Sequence, residues 1–330
     1  MKTLDKFTVP GASLPRDNGG SLVPGEIYLA NESRFAETYY SEPLTTYLVG
    51  WRDPNNIQAT LDFIAPPVDA PGRLFEFKKY KNAEEFYSEV DDTRAIDADF
   101  KRIEYRGEDA QAKTINKGLT IRLDLDQYPD LDRAQQLATA RIMRRLLRNE
   151  LRRAVGALTA LTGAGTALTW DTSVGKDPDQ DVLTALISAT DNSGIRPNRV
   201  LYGEVAWNKR GLAHRAQNTA GGFASAMQAP DQLAAFLGLD GVKISKERYQ
   251  QTVSSKVKVV PDSVVGFYGE EGAGLEDPSN LKRFITPAEG GGRFRVYVQQ
   301  VSAKLVDVTV ELYSNIVAVA TVGTFRLNIN

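Results

Sequence analysis

Apolar residues change their period along this chain, and each change predicts a new element. Leu74, Phe75, Phe77 and Tyr80 interleave with charged residues over 73–80, a pattern that suits a strand. Phe100, Ile103 and Tyr105 do the same over 100–105, and Leu119, Ile121, Leu123 and Leu125 over 115–125. The period then lengthens. Leu147, Leu151, Val155 and Leu158 recur at three- and four-residue spacing, and Arg141, Arg144, Arg145, Arg148 and Arg152 recur likewise on another face. This predicts one helix over 131–161, on the order of 45 Å long at ~1.5 Å per residue. Pro129, Asp130 and Asp132 mark its start and Gly163 its stop. A second helix has Asp177 as N-cap, Pro178 at its first position, Val182, Ala185, Leu186 and Ala189 as its apolar face, and Gly194 as its end. A strand over 199–203, helices over 204–212 and 231–237, and strands over 242–245, 257–260 and 264–268 follow. The end of the chain is nearly all strand: 294–301, 304–313, 316–322 and 325–329. The class is α+β, with helices grouped in the middle.

Two segments lack such a period. Pro10, Gly11, Pro15, Gly19, Gly20, Pro24 and Gly25 break any regular element near the start, leaving an arm on another surface or a frayed tail. A short helix is expected over 27–40, with Phe35, Tyr39 and Tyr40 as its contacts. Between the strands at 73–80 and 100–105 lies an acidic run: Glu84, Glu85, Glu89, Asp91, Asp92, Asp97 and Asp99. The whole is a charged two-stranded excursion with little core of its own, and an isolated ribbon is marginally stable in water. It is expected to lie across a neighbouring subunit; the alternative is a small sheet packed on its own chain.

Composition narrows the function. The apolar fraction is 42% and the formal net charge −2, so the chain is globular and attraction to phosphate needs a local patch. Cysteine is absent, which removes disulfides and thiolate chemistry and fits a reducing compartment. No basic-then-apolar leader opens the sequence, and the apolar run at 316–322 is too short to span a bilayer. A soluble protein assembled in the cytoplasm is expected.

No motif supplies a catalytic, metal or cofactor site. His214 stands alone in a charged segment and is expected to be a solvated loop or helix-end residue. Asp124, Asp126, Asp130 and Asp132 fail as a calcium loop, because Tyr128, Pro129 and Gln135 occupy required positions. The glycines at Gly163, Gly165, Gly269, Gly272, Gly274 and 290–292 lack the Lys-Ser/Thr of a phosphate loop. The arginine stripe has three readings: pairing with carboxylates, including those of the acidic excursion; sequence-independent contact with phosphates; or a solvated face. The first is favoured.

The order of these features resembles the major capsid proteins of tailed bacteriophages, the Hong Kong 97-type fold. The run from Gly72 through Asp91-Asp-Thr-Arg to Phe100-Lys-Arg-Ile-Glu-Tyr105 resembles the extended loop, or E-loop, and its return strand. The helix containing Leu147-Arg-Asn-Glu150-Leu resembles the spine helix. Trp170, Asp177-Pro-Asp-Gln-Asp181, Gly194-Ile-Arg-Pro-Asn198 through Gly203, and Leu233 through Val242 are similar to the axial domain. The resemblance implies an arm (1–60), an extended loop with flanking strands (61–128), a spine helix in a peripheral domain (129–164), an axial domain (165–300) and returning strands (301–330). It implies a non-enzymatic subunit forming hexamers and pentamers around double-stranded DNA. It also implies a virion location, no membrane partner, a separate scaffolding protein or none, and a portal and a decoration protein as candidate partners. Phe75, Phe77, Tyr80, Arg141, Arg144, Arg145, Arg148 and Arg152 are the subunit-interface candidates. A nanocompartment shell of the same fold, an unrelated soluble α+β enzyme and a tail or connector component are the alternatives.

Overall fold

The computed structural model describes residues 39–79, 93–94, 99, 108–272, 274–275, 277–287 and 292–330. Helices α1 (Glu42–Gly50) and α2 (Ile57–Ile64) come first, then β1 (Pro67–Asp69), β2 (Leu74–Lys79), β3 (Glu108–Lys113) and β4 (Ile115–Asp124). The long helix α3 (Leu131–Leu161) leads through β5 (Thr166–Leu168) to α4 (Pro178–Ser193). β6 (Arg199–Gly203), α5 (Glu204–Ala216), α6 (Ala220–Ala226) and α7 (Pro230–Leu237) follow. Strands β7 (Gly241–Ser245), β8 (Arg248–Gln250), β9 (Lys256–Lys258), β10 (Ser263–Phe267), β11 (Leu281–Ile285), β12 (Arg295–Gln300), β13 (Leu305–Ala318) and β14 (Phe325–Ile329) complete the chain.

Two five-stranded sheets organise these elements. The first runs β1-β11-β13-β12, with β4 also paired along β13. The strands expected at 304–313 and 316–322 are one: β13 continues through Ser314 and Asn315, because β4 partners its first ten residues and β11 its last five. The second sheet runs β5-β14-β10-β6-β7. Gly266 of β10 admits the Phe325 ring of β14, since a Cβ there would collide with that ring. β11 and β12, placed within the 165–300 axial unit by sequence position, are hydrogen-bonded into the first sheet.

Two main cores lie against the sheets, and the larger also takes in Leu201 of β6 and Val265 and Phe267 of β10. The α3 side chain stripe of Ile142, Met143, Leu147, Leu151, Ala154 and Leu158 packs with Val296, Val308 and Val310 of the first sheet. Ile57, Leu61 and Ile64 of α2 join that core, so residues expected to belong to the arm are built into the body. Asp130 caps α3 by accepting from the Arg133 amide, and Gly163 follows its end at φ +64°. The second core gathers Trp170, Val182, Leu186, Val200, Tyr202, Leu233 and Val264. Asp177 caps α4 through the Asp179 and Gln180 amides, and Gly194 ends it in the left-handed region at φ +73°.

Candidate assembly interface

The ribbon is rooted in its own chain. β2 pairs antiparallel with β3, and alternate residues of β2 point to one face. Phe75 and Phe77 on that face are buried, with ring centroids 4.4 Å and 5.5 Å from Phe284 of β11. Val68, Val319, Ala320 and Val322 complete this small third core. The base of the excursion therefore has the core that its charged sequence did not suggest. Leu74, on the opposite face, is 68% exposed. Arg73 stacks on Tyr313, 4.4 Å from the ring centroid. Tyr80, the 82–99 acidic run apart from Thr93, Arg94 and Asp99, and the 100–105 strand lie outside the described residues, as does most of the 27–40 helix.

The arginine stripe divides into two halves. Arg152 lies over the Tyr249 ring at 4.7 Å, Arg148 pairs with Glu247 at 3.0 Å, and Arg144 lies over Trp51 at 5.9 Å. Arg141 and Arg145 are exposed and have no ion pair or ring contact among the described residues. Among the described residues, Arg148 is the one of the five that pairs with a carboxylate.

A buried ionic node joins α3 to the first sheet. Glu150, 1% exposed, sits in the apolar row of the helix. Its carboxylate accepts from Lys117 Nζ at 2.8 Å, Arg153 Nη1 at 2.6 Å and Ser314 Oγ at 2.9 Å. Burial pushes the Glu150 carboxyl up, but Lys117, Ser314 and Arg153 together outweigh burial and hold it below its ordinary value. Burial pulls the Lys117 ammonium down against the pull of Glu150. An acid interrupting an apolar helical row was the sequence signal for this node.

A second node lies under the other sheet and corrects the expectation for His214. That residue is buried near the end of α5, with Nε2 3.1 Å from Asp179 Oδ2 but out of line for a hydrogen bond. Arg210 grips the same carboxylate with two bonds, at 2.6 Å and 2.8 Å, and also donates to Gln228 Oε1. Burial pushes Asp179 up, yet His214 and Arg210 prevail and hold its carboxyl below the ordinary range. A carboxyl depressed by folding contributes stability that is complete above its unfolded pKa, near ~4, and lost as pH falls through the folded value. Urea midpoints are therefore expected to drop on acidification below about pH 4, and Asp179→Asn is expected to flatten that drop. An unchanged acid profile in the variant would contradict the assignment.

Among the described residues no group of three or more His, Asp or Glu is placed to hold a metal ion, and no helix is long and apolar enough to cross a membrane. No protein-family model matches the chain, and no curated protein matches it. Solved structures do. A phage-related protein from Bordetella bronchiseptica RB50 superposes with a TM-score of 0.65 at 18% identity, covering 88% of this chain and 97% of that one. The proposed capsid protein of an Escherichia coli CFT073 prophage covers 88% and 99%, with a TM-score of 0.50 at 12% identity. The capsid structure of cyanophage P-SCSP1u covers 82% and 87%, with a TM-score of 0.50 at 7% identity. The fold is that of phage capsid proteins, the Hong Kong 97 type. In its terms α3 is the spine helix and the β2–β3 ribbon is the root of the E-loop. The match spans both sheets, so the mixed α+β class, the long helix and the capsid-type architecture inferred from the sequence all hold.

Proposed function

We propose that this chain is the major subunit of an icosahedral shell, assembling as hexamers and pentamers around double-stranded DNA. The observation that carries this reading is the overlap with capsid-type structures over 88% of this chain. The arrangement of surfaces supports it. A ribbon is anchored at its base by aromatic rings, Arg141 and Arg145 of the basic stripe have no ion pair or ring contact among the described residues, and Leu74, Val174, Met227 and Val253 are exposed apolar residues. Permanent interfaces of roughly 2,000–5,000 Å² would cover such surfaces. In this reading the protein works as structure and not as an enzyme. It is a virion component made in the host cytoplasm. A scaffolding protein, a portal and a decoration protein are its expected companions. The second sheet with α4–α7 forms the axial part, and α1–α3 with the first sheet the peripheral part.

Expressing the chain alone, sedimenting it and viewing the heavy fraction by electron microscopy tests this. Closed shells of uniform curvature are expected. A monodisperse monomer that persists with candidate scaffold present would overturn the reading, and rings or tubes alone would redirect it to another virion component. Nucleic acid extracted from shells purified from infected or induced cells separates a genome container from a protein-filled compartment.

A further inference from the structure

A cavity of about 510 Å³ opens between the start of α4, the end of α5, and the short helices α6 and α7. That volume is within the ~300–1,000 Å³ usual for small-ligand sites. Gly175 and Gly221 leave it open, since a Cβ at either position would meet nothing within 4 Å. Its lining charges are already answered. Asp179 is gripped by Arg210, and Lys176 stands next to Asp177. Asp177 Oδ1 accepts from the Asp179 and Gln180 amides, so a carboxylate occupies the place where the start of α4 would hold an anion.

What remains is hydrogen-bonding capacity without net charge. His214 lines the cavity and is 6% exposed, and its buried Nε2 has no hydrogen-bond partner among the described residues. A neutral imidazole carries one donor and one acceptor nitrogen, so a hydroxyl satisfies either. Gln228 spends its Oε1 on Arg210 and keeps its amide group as a donor. Thr219 Oγ1 accepts from the Gly222 amide and keeps its own proton to donate. Phe236, 64% exposed, adds a flat apolar face. We infer that this cavity binds a neutral sugar unit of a glycan. A sugar ring has C–H faces to lay on Phe236 and hydroxyls on its edge for His214, Gln228 and Thr219. A phosphate would meet Asp177, and an apolar ligand would leave the buried polar groups unpaired. The cavity lies within one copy of the chain, so the inference stands apart from the shell reading.

The chain contains one histidine, so a histidine-labelled sample gives a single ring signal at the proposed site. The full chain is titrated with maltose, cellobiose, lactose and diacetylchitobiose. Binding is followed by equilibrium dialysis and by that signal, in solution or by magic-angle-spinning NMR for assembled material. At least one sugar is expected to bind saturably and to move the histidine signal with the same midpoint. Phe236→Ala is expected to weaken binding about tenfold, and Gly221→Leu to abolish it by filling the cavity. Phe236 is exposed and Gly221 faces open space, so both variants should keep the circular dichroism of the wild type. Failure of all four sugars to bind would overturn the inference, as would binding that leaves the histidine signal in place. So would undiminished binding to the Gly221→Leu variant, or displacement of the sugar by inorganic phosphate. Each of these outcomes leaves the shell reading intact.

Discussion

Glu150→Ala is expected to cost about 3–5 kcal/mol of folding stability, because it removes the one acid from a buried ionic node and leaves its cation behind. Lys117 is largely buried, and without Glu150 its remaining contact in the node is Ser314 Oγ at 3.1 Å. The node joins three elements distant in sequence: β4 through Lys117, α3 through Glu150 and β13 through Ser314. Its loss should loosen the helix from the sheet as well as lower the global midpoint. Chemical denaturation monitored by both circular dichroism and hydrogen exchange in α3 checks this. The paired change Lys117→Met with Glu150→Leu separates charge from packing. A hydrophobic replacement of both partners is expected to recover most of the loss, since two well-packed apolar groups often equal a buried ion pair. A Glu150→Ala variant within about 1 kcal/mol of the wild type would show that solvent reaches the node.

The second large effect belongs to the ribbon root. Phe77→Ala is expected to cost about 3–5 kcal/mol locally, the usual range for deleting a buried ring. Phe284→Ala should have the same phenotype, because Phe75 and Phe77 both rest on that ring. The third core is small and separate from the two main ones, so the expected result is release of the ribbon and a fall in shell yield, with both sheets retained. Limited proteolysis between 80 and 107, compared with the thermal midpoint of the body, distinguishes release from unfolding. Intact shells at normal yield from either variant would show that the ribbon root is dispensable for assembly.

Periodic segments were legible in the sequence, and segments stabilised from outside were not. α3 and α4 were predicted to within a residue because cap, apolar stripe and stop agree. β11 was not predicted at all: Leu281-Lys-Arg-Phe-Ile places two cations side by side, yet all five residues are buried. Lys282 pairs with Asp277 and Arg283 with Asp62, partners no local pattern could supply. α2 opens on Asn56 in the left-handed region, and its first amide, Ile57, is capped by the Asp53 carboxylate at 2.9 Å and not by Asn56 itself, so its start departs from the usual N-cap spacing. β3 reads Glu-Asp-Ala-Gln-Ala-Lys, whose only alternating apolar residues are the small Ala110 and Ala112, and takes its register from β2. The arginine stripe was correctly placed on one helix, but its division into covered and open halves depends on Trp51, Glu247 and Tyr249, which come from distant parts of the chain. His214 read as solvated because it stands alone in a charged segment, while its partner Asp179 lies 35 positions earlier on another helix.

The position of the last two strands has a consequence for synthesis. β13 sits inside the first sheet, between β11 and β12 and alongside β4, and β14 sits inside the second, between β5 and β10. Neither sheet can close until residues 305–329 have emerged from the ribosome. A nascent chain is thus held incomplete in both halves at once, with β4 waiting on a partner about 190 residues downstream in register. Polysomes carry many such chains close together, and a half-built sheet edge is a surface through which copies pair wrongly. Placing β13 and β14 this late in the sequence leaves the inner edges of both sheets open until those strands have been made.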